Sequence, residues 1–370
     1  MIFMKGASEM IRILHMTGSL NWSGIATVVM NYYRHVDRNQ VQFDFITDSI
    51  GKTRFGDEIE SMGGRIFRVP SRNRRPFAYG RALGRLFREH PEYRVFHVHG
   101  SSASMYMDLH VAKKAGVPVR IGHSHAASCY VKWQHYMFRP FVNGVCTHRF
   151  ACSLEAGRWV FGKKRDVGLI KNAIDLDTFR FDPSARKELR SAYGIDDDTL
   201  VLGHIGTLAP NKNHDFLLDV FAGYVKTNDN ARLFLVGGGP VKDALVQKAQ
   251  ALGMDSKVIF FGNTETPQTC YSAFDVFVFP SRFEGLGLVA VEAAACGLPC
   301  LISDTVPGEV MVADWMRRLP IRDPADWVRA LAELNRTRAA PEDALAQIER
   351  SGYNIKKAAQ ALQEFYVRQG

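Results

Sequence analysis

The chain has 370 residues, of which 46% are hydrophobic and 23% are charged, and its formal net charge is +9. This length is typical of two α/β domains, and no segment approaches the roughly 20 apolar residues that a membrane-spanning helix needs. Residues 1–9 lack the apolar run of a secretory leader, and Met10 leads directly into a predicted strand. We therefore expect residues 1–9 to be an extension or alternative start, and the protein to be cytoplasmic.

The positive charge is concentrated in the first half of the chain. Residues 1–165 contain 25 Lys and Arg against 11 Asp and Glu, a balance of +14, and the remainder contains 22 against 27, a balance of −5, which together give +9. Nucleic acid would be one partner for a basic half, but no nucleic-acid recognition motif accompanies the charge. An anionic membrane surface or a phosphate-linked substrate fits this distribution better.

The cysteine pattern excludes a disulfide-rich secreted domain. The spacing of the six cysteines matches neither a disulfide framework nor a zinc site. They are Cys129, Cys146, Cys152, Cys270, Cys296 and Cys300. We expect all six to be reduced.

The first half alternates predicted strands with predicted helices. A strand over residues 11–16 leads into a loop that ends at Gly24, and a helix follows over residues 25–35. Glycine permits close approach of the backbone to a ligand, so Gly24 is a candidate contact. Further strands are predicted over residues 41–47, 65–69, 95–100, 121–125 and 149–152.

Residues 72–90 form the most basic segment and are predicted to be an amphipathic helix. Phe77, Leu83, Leu86 and Phe87 alternate there with Arg74, Arg75, Arg81, Arg85 and Arg88. One interpretation is an ordinary surface helix whose apolar side faces the sheet. The other is a helix that also contacts anionic lipid head groups.

Two pairs of histidines stand at the ends of predicted strands. His97 and His99 end one strand, and His123 and His125 end the next. Side chains at the carboxyl ends of parallel strands face the ligand crevice of an open α/β sheet. Four histidines could form a zinc site, but no acid or cysteine completes a recognisable metal signature. We expect the second pair to line the acceptor side of a binding site.

The second half also predicts a doubly wound domain. An aromatic, basic helical region over residues 130–148 and a linker at 163–165 precede it. Strands are predicted over residues 200–205, 232–236, 258–261 and 276–279, and helices over 214–226, 241–252 and 288–295. Weaker patterns predict helices around 326–336 and 343–350 and a final amphipathic helix over 355–367.

The stretch over residues 279–301 organises the second domain. Pro280 ends a strand, and a helix over residues 288–295 is closed by Gly297 and Pro299. This helix is almost entirely apolar, yet it contains Glu292. A lone buried carboxylate costs several kcal/mol, so Glu292 needs a hydrogen-bonding partner, and sugar or ribose hydroxyls would serve.

Glu284 and Glu292 flank a helix N-terminus that follows two glycines. Free N–H groups and partial positive charge make such an end suitable for a phosphate. The spacing therefore predicts a sugar nucleotide, with its diphosphate at the helix end and its hydroxyls on the two acids. The alternative is an ordinary crossover with one capping glutamate and one satisfied core glutamate.

Four short matches in this stretch resemble the signature of the retaining glycosyltransferases of family 4. They are Pro280-Ser281, Glu284-Gly285-x-Gly287-Leu288, Glu292-Ala293 and Cys296-Gly297-Leu298-Pro299, and Glu284 and Glu292 match the E-x7-E motif. The resemblance implies an α/β chain of the GT-B fold, with two Rossmann-like doubly wound parallel-sheet domains facing a cleft and a C-terminal helix that crosses back. It places an acceptor-binding domain at residues 1–168 with 355–370 and a nucleotide-sugar domain at 169–354.

The implied reaction is transfer of a hexosyl unit from a nucleoside diphosphate sugar, with UDP-sugars first, and with retention of configuration. The acceptor would be a glycan or a lipid-linked glycan of cell-surface polysaccharide biosynthesis. No metal or other cofactor is implied. The protein would be cytoplasmic, with peripheral attachment to the inner membrane face through its basic half.

The resemblance also implies roles for individual residues. Lys212 would neutralise the leaving diphosphate, Glu284 would hold the donor sugar and Glu292 the ribose. A histidine at the end of the fifth strand would contact the donor sugar, and spacing does not decide between His123 and His125. The implied donor-binding residues are Gly24, Gly206, Thr207, Lys212, Gly238, Asn263, Arg282, Glu284, Gly285, Leu286, Gly287, Leu288 and Glu292.

The sequence departs from the family pattern at the phosphate contacts. Thr207 stands where the family has an arginine, and losing one of two charge-assisted contacts costs about 1.5–3 kcal/mol unless it is replaced. Arg282 is the hypothetical replacement. The departure also motivates alternatives: a catalytically weak member, or a non-catalytic sugar-nucleotide-binding or scaffold protein. A sugar-nucleotide epimerase or hydrolase is a third alternative, and the E-x7-E motif argues against it.

Overall fold

A computed structural model describes residues 10–370 except Trp22, Ile50 and Tyr130. The expectation for residues 1–9 and the predicted helix start at Tyr130 lie outside the described residues. The chain forms two compact units, one made of residues 10–173 and 355–370 and the other of 174–354. In the described part, no helix is both long and apolar enough to cross a membrane.

The first unit is built on a parallel sheet with the strand order β3-β2-β1-β4-β5-β6-β7. Its strands are β1 (Ile11–Gly18), β2 (Val41–Thr47), β3 (Ile66–Arg68), β4 (Val95–Gly100), β5 (Val119–Ser124), β6 (His148–Ala151) and β7 (Gly168–Leu169). Every residue of β2 is buried, as expected for a parallel sheet with helices on both faces.

Helices connect these strands and cover the sheet. They are α1 (Gly24–His35), α2 (Gly56–Ser61), α3 (Pro76–Glu89), α4 (Tyr106–Lys114), α5 (Lys132–Val142) and α6 (Leu154–Phe161). The basic helix α3 begins at Pro76 rather than at residue 72, because proline is suited to the first helical position. Helix α5 ends at Val142 rather than at residue 148, ahead of Gly144 and the start of β6.

The second unit repeats this plan with a six-stranded parallel sheet of order β10-β9-β8-β11-β12-β13. Its strands are β8 (Leu200–Ile205), β9 (Ala231–Val236), β10 (Val258–Gly262), β11 (Val276–Phe279), β12 (Cys300–Ser303) and β13 (Met316–Leu319). Its helices are α7 (Pro183–Ala192), α8 (His214–Val225), α9 (Lys242–Ala251), α10 (Pro267–Ala273), α11 (Leu288–Ala295), α12 (Pro324–Glu333) and α13 (Pro341–Arg350).

The last helix, α14 (Ile355–Gln369), returns to the first unit and packs against α1. This crossing confirms the course that the resemblance implied for the C-terminal helix. Ile355, Ala359, Leu362 and Tyr366 form its buried side.

The strand orders determine where a ligand crevice lies in each unit. The direction of chain progression reverses between β1 and β4 in the first unit, and between β8 and β11 in the second. Open α/β sheets bind ligands beyond the carboxyl ends of the strands at such a switch point. The segments after Ile205 and Phe279 therefore mark the candidate site of the second unit.

Candidate functional site

In the second unit, an ion pair joins the two loops at the switch point. Lys212 follows β8 and Glu284 follows β11, and Lys212 Nζ lies 2.7 Å from Glu284 Oε1. Only 16% of the Lys212 side chain and 10% of the Glu284 side chain are exposed. The ammonium group also lies 5.1 Å from the centre of the Phe279 ring. The two candidate donor-binding charges thus neutralise each other in this structure.

The loop that carries Lys212 is tied to Arg282. Asn213 adopts a left-handed conformation with φ 60°, and its Oδ1 accepts a hydrogen bond of 3.1 Å from Arg282 Nε. The backbone N–H of Arg282 donates to Asn211 O at 2.7 Å. Arg282 and Thr207 are both exposed. Arg282 therefore lies beside the loop in which the family arginine is replaced, as the compensation hypothesis requires, and its phosphate contact stays a prediction.

The helix after Glu284 begins at Leu288 and ends at Ala295, as predicted. Gly287 precedes it with φ 90°, a conformation that side chains rarely adopt, and a methyl group added there would approach Phe279 to 2.9 Å. Leu286 is buried and fixes the turn. The N–H groups of the first turn have no partner within the helix, so this end can receive an anion.

Glu292 has a protein partner. Its Oε2 accepts a hydrogen bond of 2.8 Å from the hydroxyl group of Tyr271, which is buried on α10. Burial raises the pKa of Glu292 to about 7, and the Tyr271 hydrogen bond opposes part of that rise. The glutamate keeps some solvent exposure although neighbouring groups surround its carboxyl. The expected need for a partner is confirmed, and the ribose contact stays a prediction.

The glycine turn after β9 packs directly on the loop after β8. Leu208 N donates a hydrogen bond of 2.9 Å to Gly238 O. A methyl group added at Gly237 would lie 2.1 Å from Gly206 O, and one at Gly239 would lie 2.3 Å from Leu208 O. Only glycine allows this backbone approach.

Asn263 joins the same group of loops. Its side-chain amide would lie 3.2 Å from a methyl group added at Gly238. The loops after β8, β9 and β10 therefore meet at one edge of the sheet. The second unit thus places Gly206, Lys212, Gly238, Asn263 and Glu284 on neighbouring loops, whereas Glu292 contacts Tyr271 of α10.

Sequence reasoning missed His204 in this unit. It lies near the carboxyl end of β8, and its Nδ1 is 2.9 Å from Val278 O. Its Nε2 has no hydrogen-bond partner among the described residues. Burial, with His214 close by, holds the pKa of His204 well below its usual range. The strand-end rule that selected the histidines of the first unit would also have found it.

In the first unit, Gly24 is the first residue of α1. A methyl group at Gly24 would meet no atom within 4 Å in the described part of the chain. The structure therefore gives no steric reason for a glycine, and its donor contact stays a prediction.

The four strand-end histidines lie together, and His15 of β1 joins them. All five side chains are buried. His15 Nδ1 is 3.0 Å from His99 Nε2, and His99 Nδ1 is 3.0 Å from His125 Nε2. His97 Nε2 is 3.2 Å from His123 Nδ1. Sequence reasoning missed His15, whose position beside His99 follows from the pairing of β1 with β4.

The structure does not favour either histidine for the donor-sugar contact. In the described chain, His123 Nε2 has no hydrogen-bond partner, and His125 interacts with the side chain of Asn172. Burial lowers the pKa of both imidazoles, that of His125 to about 4. Either neutral ring could exchange a hydrogen bond with a ligand hydroxyl.

The basic helix borders a groove of about 540 Å³ between α3 and α4. Arg81, Arg85, Arg88 and Lys114 line it, and Phe77 at its edge is 82% exposed. Arg74 and Arg75, ahead of the helix, are exposed as well. The groove therefore presents several cations beside one projecting aromatic ring.

Helix α5 presents a second exposed apolar surface that sequence reasoning did not separate from the helix core. Trp133, Tyr136, Met137 and Phe141 are all exposed on it. Helices α3, α4 and α5 are neighbours, because α4 packs against both of the others. The basic groove and the aromatic helix thus belong to one side of the first unit.

Known glycosyltransferase families match both halves of the chain. A family described as "Glycosyltransferase Family 4" matches residues 22–178. A family described as "Glycosyl transferases group 1" matches residues 185–351. Each match covers most of one structural unit.

Similar proteins extend this finding. The chain is 35% identical over 376 residues to EpsF of Bacillus subtilis (strain 168), a protein named as a candidate glycosyltransferase, with 97% of each chain covered. It is 28% identical to a GDP-mannose-dependent α-(1-6)-phosphatidylinositol monomannoside mannosyltransferase of Mycobacterium tuberculosis (strain CDC 1551 / Oshkosh), with 69% of each chain covered. The crystal structure of Anabaena Alr3699/HepE in complex with UDP and glucose matches with a TM-score of 0.79 at 18% identity, covering 96% of this chain and 99% of that one.

Proposed function

Because this chain belongs to the group 1, family 4 glycosyltransferases of the GT-B fold, we propose that it transfers a hexosyl unit from a UDP-sugar with retention of configuration. The acceptor is a glycan or lipid-linked glycan of cell-surface polysaccharide biosynthesis. The observation that carries the proposal is the Lys212–Glu284 pair, 2.7 Å apart, beside the N-terminus of α11.

The ion pair suggests an exchange of partners when the donor binds. The diphosphate attracts Lys212 and the N–H groups of α11, and Lys212 leaves Glu284. Glu284 is then free to accept hydrogen bonds from the hydroxyls of the donor sugar. The charge of each side chain is compensated before and after binding, which avoids an unpaired buried ion.

In the reaction, the bond between the anomeric carbon and the diphosphate oxygen breaks, and a bond from the acceptor oxygen to that carbon forms. The acceptor hydroxyl loses its proton, and the diphosphate leaves with the bonding electron pair. Lys212 and the helix N–H groups stabilise the charge that develops on the leaving group. No step at this donor site uses a metal ion.

UDP and GDP are the competing nucleotides, since one similar structure is a complex with UDP and one similar enzyme depends on GDP-mannose by name. Thermal unfolding with UDP, GDP, UDP-glucose, UDP-galactose and GDP-mannose tests the choice. We expect the UDP series to raise the melting temperature and the GDP series to leave it unchanged. Stabilisation by GDP alone would reverse the donor assignment.

Turnover separates an enzyme from a non-catalytic sugar-nucleotide-binding protein. We expect slow release of UDP from the donor that binds, even without acceptor, and faster release with a membrane extract as acceptor source. Lys212→Ala should release UDP more slowly than the wild type. Its matched control is Lys226→Ala, which changes an exposed lysine at the C-terminal end of α8. Donor binding with no release of UDP at high protein concentration would favour the scaffold alternative.

The acceptor proposal includes an anionic membrane surface. The groove cations Arg81, Arg85, Arg88 and Lys114 suit lipid phosphates, and no acidic residue is among those lining the groove in the described chain. The exposed Trp133 and Tyr136 on α5 suit the interfacial region of a bilayer. There the apolar part of each ring can contact lipid while its N–H or O–H group stays hydrated. A lipid-linked acceptor would be presented at that surface.

A further inference from the structure

We propose that the histidine cluster of the first unit binds one divalent transition-metal ion, with His99, His123 and His125 as its protein ligands. The test ion is Zn²⁺. His123 and His125 are also the candidates for the donor-sugar contact, and a ring nitrogen that binds the ion cannot make that contact.

The alternation of the strands builds the cluster. Residues i and i+2 of a strand point to the same face, so β4 places His97 and His99 together, and β5 does the same for His123 and His125. The rings within each pair lie 4.1 Å apart, centre to centre. Helices α1 and α14 cover this face. The small cavity there is lined by carbon atoms only, so the proposed ion lies between the rings and not in that cavity.

The nitrogen atoms are close enough for shared coordination. In two trios, one ring nitrogen from each histidine lies within 4.8 Å of the others: His15, His97 and His99, and His99, His123 and His125. Tetrahedral Zn²⁺ with bonds of about 2.0–2.1 Å places its ligand nitrogens about 3.3 Å apart. The contact of 3.0 Å between His99 Nδ1 and His125 Nε2 is near that spacing, and a nitrogen of His123 lies within 4.8 Å of both other ligand atoms.

An outer hydrogen-bond acceptor favours the second trio. If His125 binds the ion through Nε2, the nitrogen that lies 3.0 Å from His99 Nδ1, its Nδ1–H remains to donate to the side chain of Asn172, which interacts with this ring. Metal-binding histidines commonly donate their other ring N–H in this way. In the first trio, His15 Nε2 has no hydrogen-bond partner among the described residues.

The three imidazole ligands determine which metal ions are expected. Neutral imidazole is the form that ligates metals, and each of these three buried rings can offer one nitrogen. Imidazole nitrogens suit Zn²⁺, Cu²⁺ and Ni²⁺, whereas Mg²⁺ and Ca²⁺ prefer oxygen ligands. The ion would join β4 to β5 and thereby stabilise the first unit.

The experiment uses the full chain without a polyhistidine tag. Protein equilibrated with Zn²⁺ and then desalted should contain about one Zn²⁺ per chain by elemental analysis, and Co²⁺ substitution should give the visible absorption of a tetrahedral nitrogen site. Chelation should lower the melting temperature. His99→Gln and His125→Gln should each lose the ion, and His110→Gln, on α4 outside the cluster, should retain it.

Circular dichroism identifies variants that fail to fold. If both glutamine variants fail, X-ray absorption of the wild-type zinc protein decides, because three imidazole ligands at about 2.0–2.1 Å are expected. Less than about 0.1 Zn²⁺ per chain, equal zinc in His125→Gln and wild type, or a spectrum without imidazole scattering would each overturn the proposal.

Discussion

At the residue scale, the ionisation of Glu292 makes the free energy of unfolding depend on pH. Burial raises its pKa from 4.5 to about 7, so between these values the folded chain holds a proton that the unfolded chain has lost. The free energy of unfolding should therefore fall as the pH rises through this window and level off above pH 7. Relative to Glu292→Gln, which cannot ionise, we expect the wild type to lose about 1–3 kcal/mol between pH 5 and pH 8.

Chemical denaturation of both proteins at several pH values measures this difference. Glu265→Gln, at an exposed position in the loop after β10, controls for the loss of one carboxylate. Parallel pH profiles for wild type and Glu292→Gln would show that the carboxyl ionises normally in the folded chain.

Lys212 gives the second prediction at this scale. Removing a preorganised charged donor from a leaving-group site slows turnover by about 100-fold or more, and we expect this for Lys212→Ala. The melting temperature should fall as well, because Glu284, whose side chain is only 10% exposed, loses its ion-pair partner; turnover is therefore compared at a temperature where both proteins are folded. Steady-state release of UDP is the measurement.

Near-normal turnover of Lys212→Ala would mean that another cation neutralises the diphosphate. Arg282 is the nearest candidate, since its guanidinium bonds to Asn213, next to Lys212. In that case Lys212→Ala combined with Arg282→Ala should be far slower than either single variant.

The sequence identified candidate residues for a donor site but did not predict which protein groups they contact. The E-x7-E spacing identified Glu284 and Glu292, but the partners Lys212 and Tyr271 lie 72 and 21 residues away along the chain. Only the packing of α10 and of the β8 loop brings them close. His15 was missed for the same reason, because its role as a neighbour of His99 depends on the pairing of β1 with β4.

At the element scale, strong start and stop signals made prediction accurate. Helix α11 has the predicted bounds because Gly287, Gly297 and Pro299 mark its ends. Strand β13 was missed because Arg317 and Arg318 at its centre are exposed and interrupt the apolar pattern that predicts a strand. Charged residues of this kind are common on edge strands. Helix α10, with only seven residues, is too short to show a period.

The glycine turn after β9 gives a prediction for an element. Gly239→Ala would push a methyl group to within 2.3 Å of Leu208 O, so the turn or the loop after β8 must shift. We expect a loss of about 1–3 kcal/mol in the free energy of unfolding, together with weaker nucleotide binding. Gly24→Ala is the matched control, because a methyl group there meets open space among the described residues. Equal stability of the two variants would remove the steric role of Gly239.

At the scale of the whole molecule, charge and chemistry are divided between the two units. The first 165 residues carry a balance of +14, and the predicted phosphate-binding loops lie in the second unit, whose part of the chain is mildly acidic. Most of the excess positive charge therefore lies outside the unit that carries the predicted phosphate contacts. The basic groove of α3 and α4 and the exposed aromatic residues of α5 are where that charge meets apolar surface.

The full-length protein should therefore float with vesicles that contain anionic lipid and stay behind with neutral ones. Each arginine near an anionic surface contributes on the order of 1 kcal/mol, so Arg81, Arg85 and Arg88 together give measurable attachment. Salt should release the protein, since the Debye length is about 8 Å at physiological ionic strength and shortens further as salt is added. Trp133→Ala should weaken attachment less than charge reversal does, because one exposed ring adds only its own buried area.

The decisive variant is Arg81→Glu with Arg85→Glu. It should abolish flotation and leave donor hydrolysis unchanged, because the donor-binding loops belong to the other unit. Lys226→Glu with Arg322→Glu makes the same change in net charge at exposed positions of the second unit and should still float. If both double variants lose flotation equally, net charge rather than the groove drives attachment. If neither does, or if neutral vesicles recover as much protein as anionic ones, α3 is an ordinary solvated helix.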